Sequence, residues 1–166
     1  MKLSSQRFGE LQIREEKIIT FPEGLIGLPD LKRFAILEHD GDGPLNWLLS
    51  IDEPEIAFII IDPTVFLGEY KVELSKVDVE KLQLEDDTET AIFTLVVIPE
   101  NPEEMTANTK GPLVINVPAM LGHQVIQDNP AYQIKHRILR AQASAKGKQP
   151  AKKSQPQAKQ LARAAL

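Results

Sequence analysis

His39, His123 and His136, Ser50 and Ser75, and several acid pairs are the residues of this chain to weigh first for catalytic or metal-binding chemistry. The histidines fall on a turn, at a strand start and in the C-terminal segment. No two are spaced as HxH or HxxxH, the patterns that aim two imidazoles at one metal, so each reads as a surface residue. Ser50 and Ser75 lie in no GxSxG elbow. Gly24 and Gly27 are followed by Leu25 and by Leu28-Pro29 rather than by Lys-Ser/Thr, which rules out a phosphate loop. Asp40-Gly41-Asp42-Gly43 begins like a calcium loop but lacks the later ligands and the closing Glu. Glu15-Glu16 and Asp86-Asp87 read as solvated loop charge. The chain has no cysteine, which excludes disulfides, thiolate metal sites and Cys nucleophiles. A carboxylate-only enzyme is the one catalytic option left, and no acid pair is marked out for it. The residues therefore point away from an enzyme and call for no cofactor or metal.

Charge is the stronger signal. Up to Ile134 there are 24 acidic against 10 basic residues, a formal balance of −14; from Lys135 to Leu166 there are 9 basic residues and no acid. An acidic body repels nucleic acid and anionic membrane and attracts basic protein surfaces over about a Debye length. Solubility alone would be served by a smaller excess, so the charge reads as docking equipment for a basic protein. Trp47, Phe21, Met105 and Tyr132 are anchor-type side chains, equally suited to the core. The basic segment has three readings: weak, sequence-blind nucleic-acid binding, folding back on the acidic body, or solvated disorder. It offers no aromatics for base stacking, and the last two rank above the first.

These residues have to be carried by a β-rich body. Proline, glycine and aspartate punctuate the chain at short intervals, with apolar runs between them. Leu11 and Ile13 alternate with polar neighbours. Ile18–Phe21, Phe34–Leu37, Trp47–Ile51, Ile56–Ile61, Thr90–Ile98, Pro112–Val117 and Gln124–Gln127 read as strands, and Tyr70, Val72 and Leu74 alternate again. Asp52-Glu53-Pro54-Glu55 reads as a hairpin loop. The run Ile56–Ile61 does not alternate, which calls for cover on both faces. Ser75, three residues before Asp78, is a weak capping box and predicts one short helix. The expected fold is all-β: a small antiparallel β-barrel-like domain over residues 1–134 with one short helix, followed by a disordered basic tail over 135–166. The start of the chain lacks the apolar stretch of a signal peptide and no run approaches membrane-spanning length, so the reading is cytoplasmic, with no membrane partner.

Four stretches together resemble the bacterial flagellar assembly factor family (FliW). They are Ile19-Thr20-Phe21-Pro22-Glu23-Gly24-Leu25-Ile26-Gly27; Trp47–Pro54 running into Ala57-Phe58-Ile59-Ile60-Ile61-Asp62-Pro63; Pro99–Asn108 leading to Pro112-Leu113-Val114-Ile115-Asn116; and Gly122-His123-Gln124-Val125-Ile126. They span Phe8 to Tyr132. Leu28 and Thr109-Lys110-Gly111 depart from the family pattern, and the tail lies outside it.

The resemblance implies a non-catalytic, β-barrel-like cytoplasmic protein with two protein partners, flagellin and CsrA, a dimeric RNA-binding repressor of translation. Capture of the repressor would release flagellin mRNA, and newly made flagellin would compete for the assembly factor and restore repression. No direct nucleic-acid binding is implied. The alternatives are a flagellin-specific secretion chaperone that ignores the repressor, and a weak nucleic-acid binder acting through the tail. The candidate protein-binding residues at motif positions are Glu23, Asp52, Glu53, Asp62, Glu103, Glu104, Met105 and Asn108, with Asn108 and Pro63 doubling as turn formers.

Overall fold

A computed structural model describes residues 1–39, 41 and 43–139. Asp40 and Asp42 of the calcium-loop-like stretch, and the tail from residue 140 onward, lie outside the described residues, and with them most of the segment expected to be disordered.

In chain order the strands are β1 (Lys2–Ser5), β2 (Gly9–Gln12), β3 (Ile19–Thr20), β4 (Arg33–Glu38), β5 (Leu45–Ser50), β6 (Ala57–Ile61), β7 (Thr90–Val97), β8 (Thr106–Ala107), β9 (Leu113–Asn116), β10 (Leu121–Gln124) and β11 (His136–Arg137). One α-helix, α1 (Lys76–Lys81), precedes β7. Strands β7, β6, β5, β4, β3, β10 and β9 pair in that order, and β9 pairs back with β7, closing a seven-stranded ring. The pairings are antiparallel except β3 with β10, which meet in parallel at Thr20 and Leu121. Strand β7 serves β9 along its first half and β8 along its last two residues, and β11 adds to β8.

Alternation along the strands explains both the inside and the outside. Phe34 and Ile36 of β4, Leu48 of β5, Ile60 of β6, Ala91 and Phe93 of β7, and Leu113 and Ile115 of β9 fill the interior with Ile19 and Phe21. Each fully buried aliphatic or aromatic side chain of this kind contributes about 2 kcal/mol of transfer free energy. Their neighbours point outward and are covered by three external pads. The β1–β2 hairpin covers Ala35, Leu37, Leu49 and Ile51. Leu82, Val72 and Leu74 cover Val114 and Val125. Ile61, Val65, Val96, Met105, Ala107 and Ile138 form the third. That cover is why the run into β6 is apolar at consecutive positions, as its lack of alternation required. The loop between β5 and β6 is the expected hairpin.

Three expectations are corrected. The strand read over Gln124–Gln127 is displaced toward the N-terminus, to Leu121–Gln124: the Val125 and Gln127 N–H groups still donate to the Pro112 and Lys110 carbonyls at 2.9 and 2.8 Å, but Pro112 has no N–H to return and the regular ladder ends there. The alternating Tyr70–Leu74 stretch is in no sheet. The body also continues past residue 134, since His136 and Arg137 pair with β8 and Ile138 is fully buried. Among the described residues no helix is long and apolar enough to cross a membrane.

Candidate functional site

The surface that could receive a protein is best judged residue by residue, because several motif acids serve the fold. Asp52 begins the β5–β6 hairpin loop and reaches across to β4. Its Oδ2 accepts the main-chain N–H groups of Lys32 and Arg33 at 2.8 and 2.9 Å, and its Oδ1 accepts Arg33 Nε at 2.8 Å. Partial burial raises the pKa of this carboxyl, but the three donors outweigh it and hold it below the ordinary aspartate value. Glu53 is exposed, and its N–H donates to Ser50 Oγ at 3.0 Å. Asp62 is only 3% exposed and is not a surface acid. Its Oδ1 caps the Pro63–Val65 3-10 turn by accepting the Thr64 N–H and hydroxyl at 2.9 and 2.7 Å. Met105 is buried against Ile61, Val96 and Ile138, so it acts as a core residue and not as an exposed anchor. Asn108 is a turn former: its Oδ1 accepts the N–H groups of Lys110 and Gly111 at 3.1 and 2.9 Å.

What remains as exposed motif acid is Glu23, Glu53, Glu103 and Glu104. Glu103 and Glu104 sit on the Pro102–Glu104 turn, fixed by Asn101 Oδ1, which accepts the Glu103 N–H at 3.2 Å. Arg137 of β11 donates to the Glu103 carbonyl at 3.3 Å. A second acidic stretch, Glu85, Asp86, Asp87 and Glu89, is exposed between α1 and β7. The structure does not bring these groups into one pocket; the turns after β3, β5 and β7, which carry Glu23, Glu53 and Glu103–Glu104, leave one end of the ring, and the Glu85–Glu89 stretch lies at the other.

Glu23 stands in a cluster that the sequence did not reveal. Lys81 Nζ of α1 donates to both its carboxylate oxygens at 2.9 and 3.0 Å. His123 of β10 lies between Glu23, 3.5 Å from Nδ1, and Asp78, 3.4 Å from Nε2. The Lys81 bond is the main reason the Glu23 carboxyl sits below its usual pKa. Asp78 is lowered too: burial raises it, but the Ser75 N–H and hydroxyl, with His123, more than reverse that. His123 is therefore half-buried between strand and helix, not the surface residue that its spacing suggested. His39 and His136 are also half-buried, tilted against Trp47 and Phe66 at 4.9 and 5.3 Å between ring centroids. Among the described residues no group of three or more His, Asp or Glu could hold a metal ion. Of the anchor-type residues, Phe21 is in the core, and Trp47 is half-buried between Phe8, His39 and the Arg7 guanidinium. Tyr132 bonds the main chain of Lys71.

With this ring and its exposed acids in view, residues 2–138 match the profile of the FliW protein. The chain belongs to the FliW family. The flagellar assembly factor FliW of Alkaliphilus metalliredigens is 41% identical over 140 residues, covering 84% of this chain and 86% of that one. The same factor from Caldanaerobacter subterraneus is 45% identical over 140 residues, covering 84% and 93%. A crystal structure of the flagellar assembly factor FliW matches with a TM-score of 0.76 at 31% identity, over 82% of this chain and 96% of that chain. The FliW match ends where the packing of the third pad ends, at Ile138. A role in flagellar assembly follows from membership, and the fold is the FliW fold.

Proposed function

We propose that this flagellar assembly factor works in the cytoplasm, without catalysis, by capturing the RNA-binding translational repressor CsrA and thereby freeing flagellin mRNA. Flagellin is the second ligand and competes for the same factor. The observation that supports this reading is the balance of −14 over residues 1–134. An RNA-binding surface is basic, so an acidic body attracts it and opposes RNA both by charge and by occlusion. Glu103, Glu104, Glu23 and Glu53 are the motif acids exposed for that purpose. Flagellin, by contrast, is held through an apolar or strand-edge surface. A partner switch then needs only overlapping sites or a coupling of about 1–3 kcal/mol between them.

A gel shift with repressor, its target RNA and the full chain tests the proposal. A molar excess of the chain is expected to reduce RNA occupancy at moderate salt; undiminished occupancy rejects the antagonist reading. A pull-down probed for flagellin and repressor together separates it from a flagellin-only secretion chaperone, which would retain flagellin and ignore the repressor.

A further inference from the structure

Residues 70–74 have the exposure pattern of a strand and no strand beside them. Lys71 and Glu73 are exposed, while Val72 and Leu74 are half-buried against the pad of Leu82, Val114 and Val125. Side chains take the main-chain groups along one edge. The Lys71 N–H donates to the Tyr132 hydroxyl at 2.9 Å, and that hydroxyl donates to the Lys71 carbonyl at 3.0 Å. The Glu73 N–H donates to Gln127 Oε1 at 2.8 Å, and Gln127 Nε2 donates to the Glu73 carbonyl at 3.1 Å. Two residues spaced by two thus present both polar groups to one side, which is how a strand edge is built.

The N–H and C=O groups of Val72 and Leu74 accordingly face the other side. Among the described residues neither Val72 nor Leu74 makes a main-chain hydrogen bond. Such groups are nearly always paired, with protein or with water, and donors and acceptors at strand spacing on a fixed strip are what an added strand completes. The strip is fixed: Tyr132 and Gln127 hold its far edge, Val72 and Leu74 its underside, and α1 begins directly after it.

Charge indicates the sequence that fits. Residues 69–89 hold eight acids and three lysines. Two of the lysines are already paired, Lys71 with Glu69 at 3.0 Å and Lys81 with Glu23 at 2.9 Å. A strand laid along the open edge alternates its side chains between the outer face, where Glu73 is exposed beside the Glu69–Lys71 pair, and the apolar underside of Val72 and Leu74. We infer that the open edge of residues 70–74 is a docking strip for an extended segment of a protein partner in which Lys or Arg alternates with apolar residues. This rests on the basic-partner reading above and gives that partner a place to bind.

Amide hydrogen exchange on the full chain, followed by NMR, tests it with a synthetic seven-residue peptide of alternating Lys and Val and, separately, with the repressor. In the free chain Val72 and Leu74 should exchange fast while Lys71 and Glu73 are protected; slow exchange at Val72 and Leu74 without ligand overturns the inference. Peptide at ten times its Kd should slow those two amides about tenfold, and the effect should fade as salt rises and the Debye length shrinks. Val72→Pro removes one donor and should abolish the slowing at Leu74, with unchanged exchange at Phe34 and Leu48 reporting an intact ring. If neither peptide nor repressor slows the two amides, the strip is not a docking site. If the peptide does so and the repressor does not bind at all, the strip stands and the repressor reading falls. Protection that grows with the concentration of the chain alone makes the edge a self-pairing surface and overturns the partner assignment.

Discussion

Asp52 and Gly122 show how much of a motif serves the fold. Removing the Asp52 carboxylate leaves the Lys32 and Arg33 N–H groups without their acceptor, and Asp52→Ala should cost about 1–2 kcal/mol, the lower part of the range for hydrogen bonds to a charged group because the site is partly solvated. Chemical denaturation at neutral pH measures it. The pH dependence has a definite sign. With its folded pKa depressed below 3.8, Asp52 contributes stability that is complete above the ordinary aspartate value and disappears as pH falls through the lowered one. Between pH 5 and pH 2 the stability of Asp52→Asn should therefore fall less steeply than that of the parent chain. At Gly122 an added Cβ would stand 2.4 Å from Phe21 Cζ. Gly122→Ala should lower stability by about 1–3 kcal/mol through overpacking, and pairing it with Phe21→Leu should recover part of the loss in a thermal melt.

Helix α1 and the strip before it are positioned by side chains rather than by a ladder. Ser75 accepts the Asp78 N–H at 3.1 Å, and Asp78 Oδ2 accepts the Ser75 N–H at 2.8 Å, a complete capping box on a six-residue helix. So short a helix has little stability of its own. Ser75→Ala should cost about 1 kcal/mol and accelerate amide exchange at Asp78. The capping box was legible because its spacing is local. So were the strands whose apolar runs line the ring, and the hairpin at Asp52–Glu55, because alternation and turn chemistry are written in consecutive residues. Gln127 and Tyr132 were not legible: their bonds to residues 73 and 71 span 54 and 61 positions, and neither residue type announces a main-chain partner. The alternation of Tyr70, Val72 and Leu74 gave the half-buried and exposed faces correctly and a sheet strand incorrectly, since periodicity reports faces and not edges. His123, Lys81 and Asp78 likewise met Glu23 only when β10, α1 and the turn after β3 were brought together. Among the acids, sequence could not separate Asp62, spent on a buried turn, from Glu103 and Glu104, which face solvent.

For the whole molecule the governing quantity is the distribution of charge over the barrel. On the proposed capture of the repressor, steering acts on encounter more than on lifetime, so reversing Glu103 and Glu104 to Lys should slow that association about 3–10-fold at low salt while leaving the thermal transition in place. Stopped-flow association at two ionic strengths measures this, and an unchanged rate at low salt removes that turn from the interface. The ring itself imposes another constraint. It is sealed where Thr20 meets Leu121 and where Asn116 meets Thr90, the first of these joining positions about a hundred residues apart. A chain emerging from the ribosome can complete the meander of β4, β5 and β6 early, but it cannot close until β10 has been made. Until then β3 waits with one side unpaired, and the entropy of bringing remote ends together delays the last step. Nascent chains stalled before Leu121 should therefore be sensitive to protease, and resistance should arrive abruptly once synthesis passes that strand.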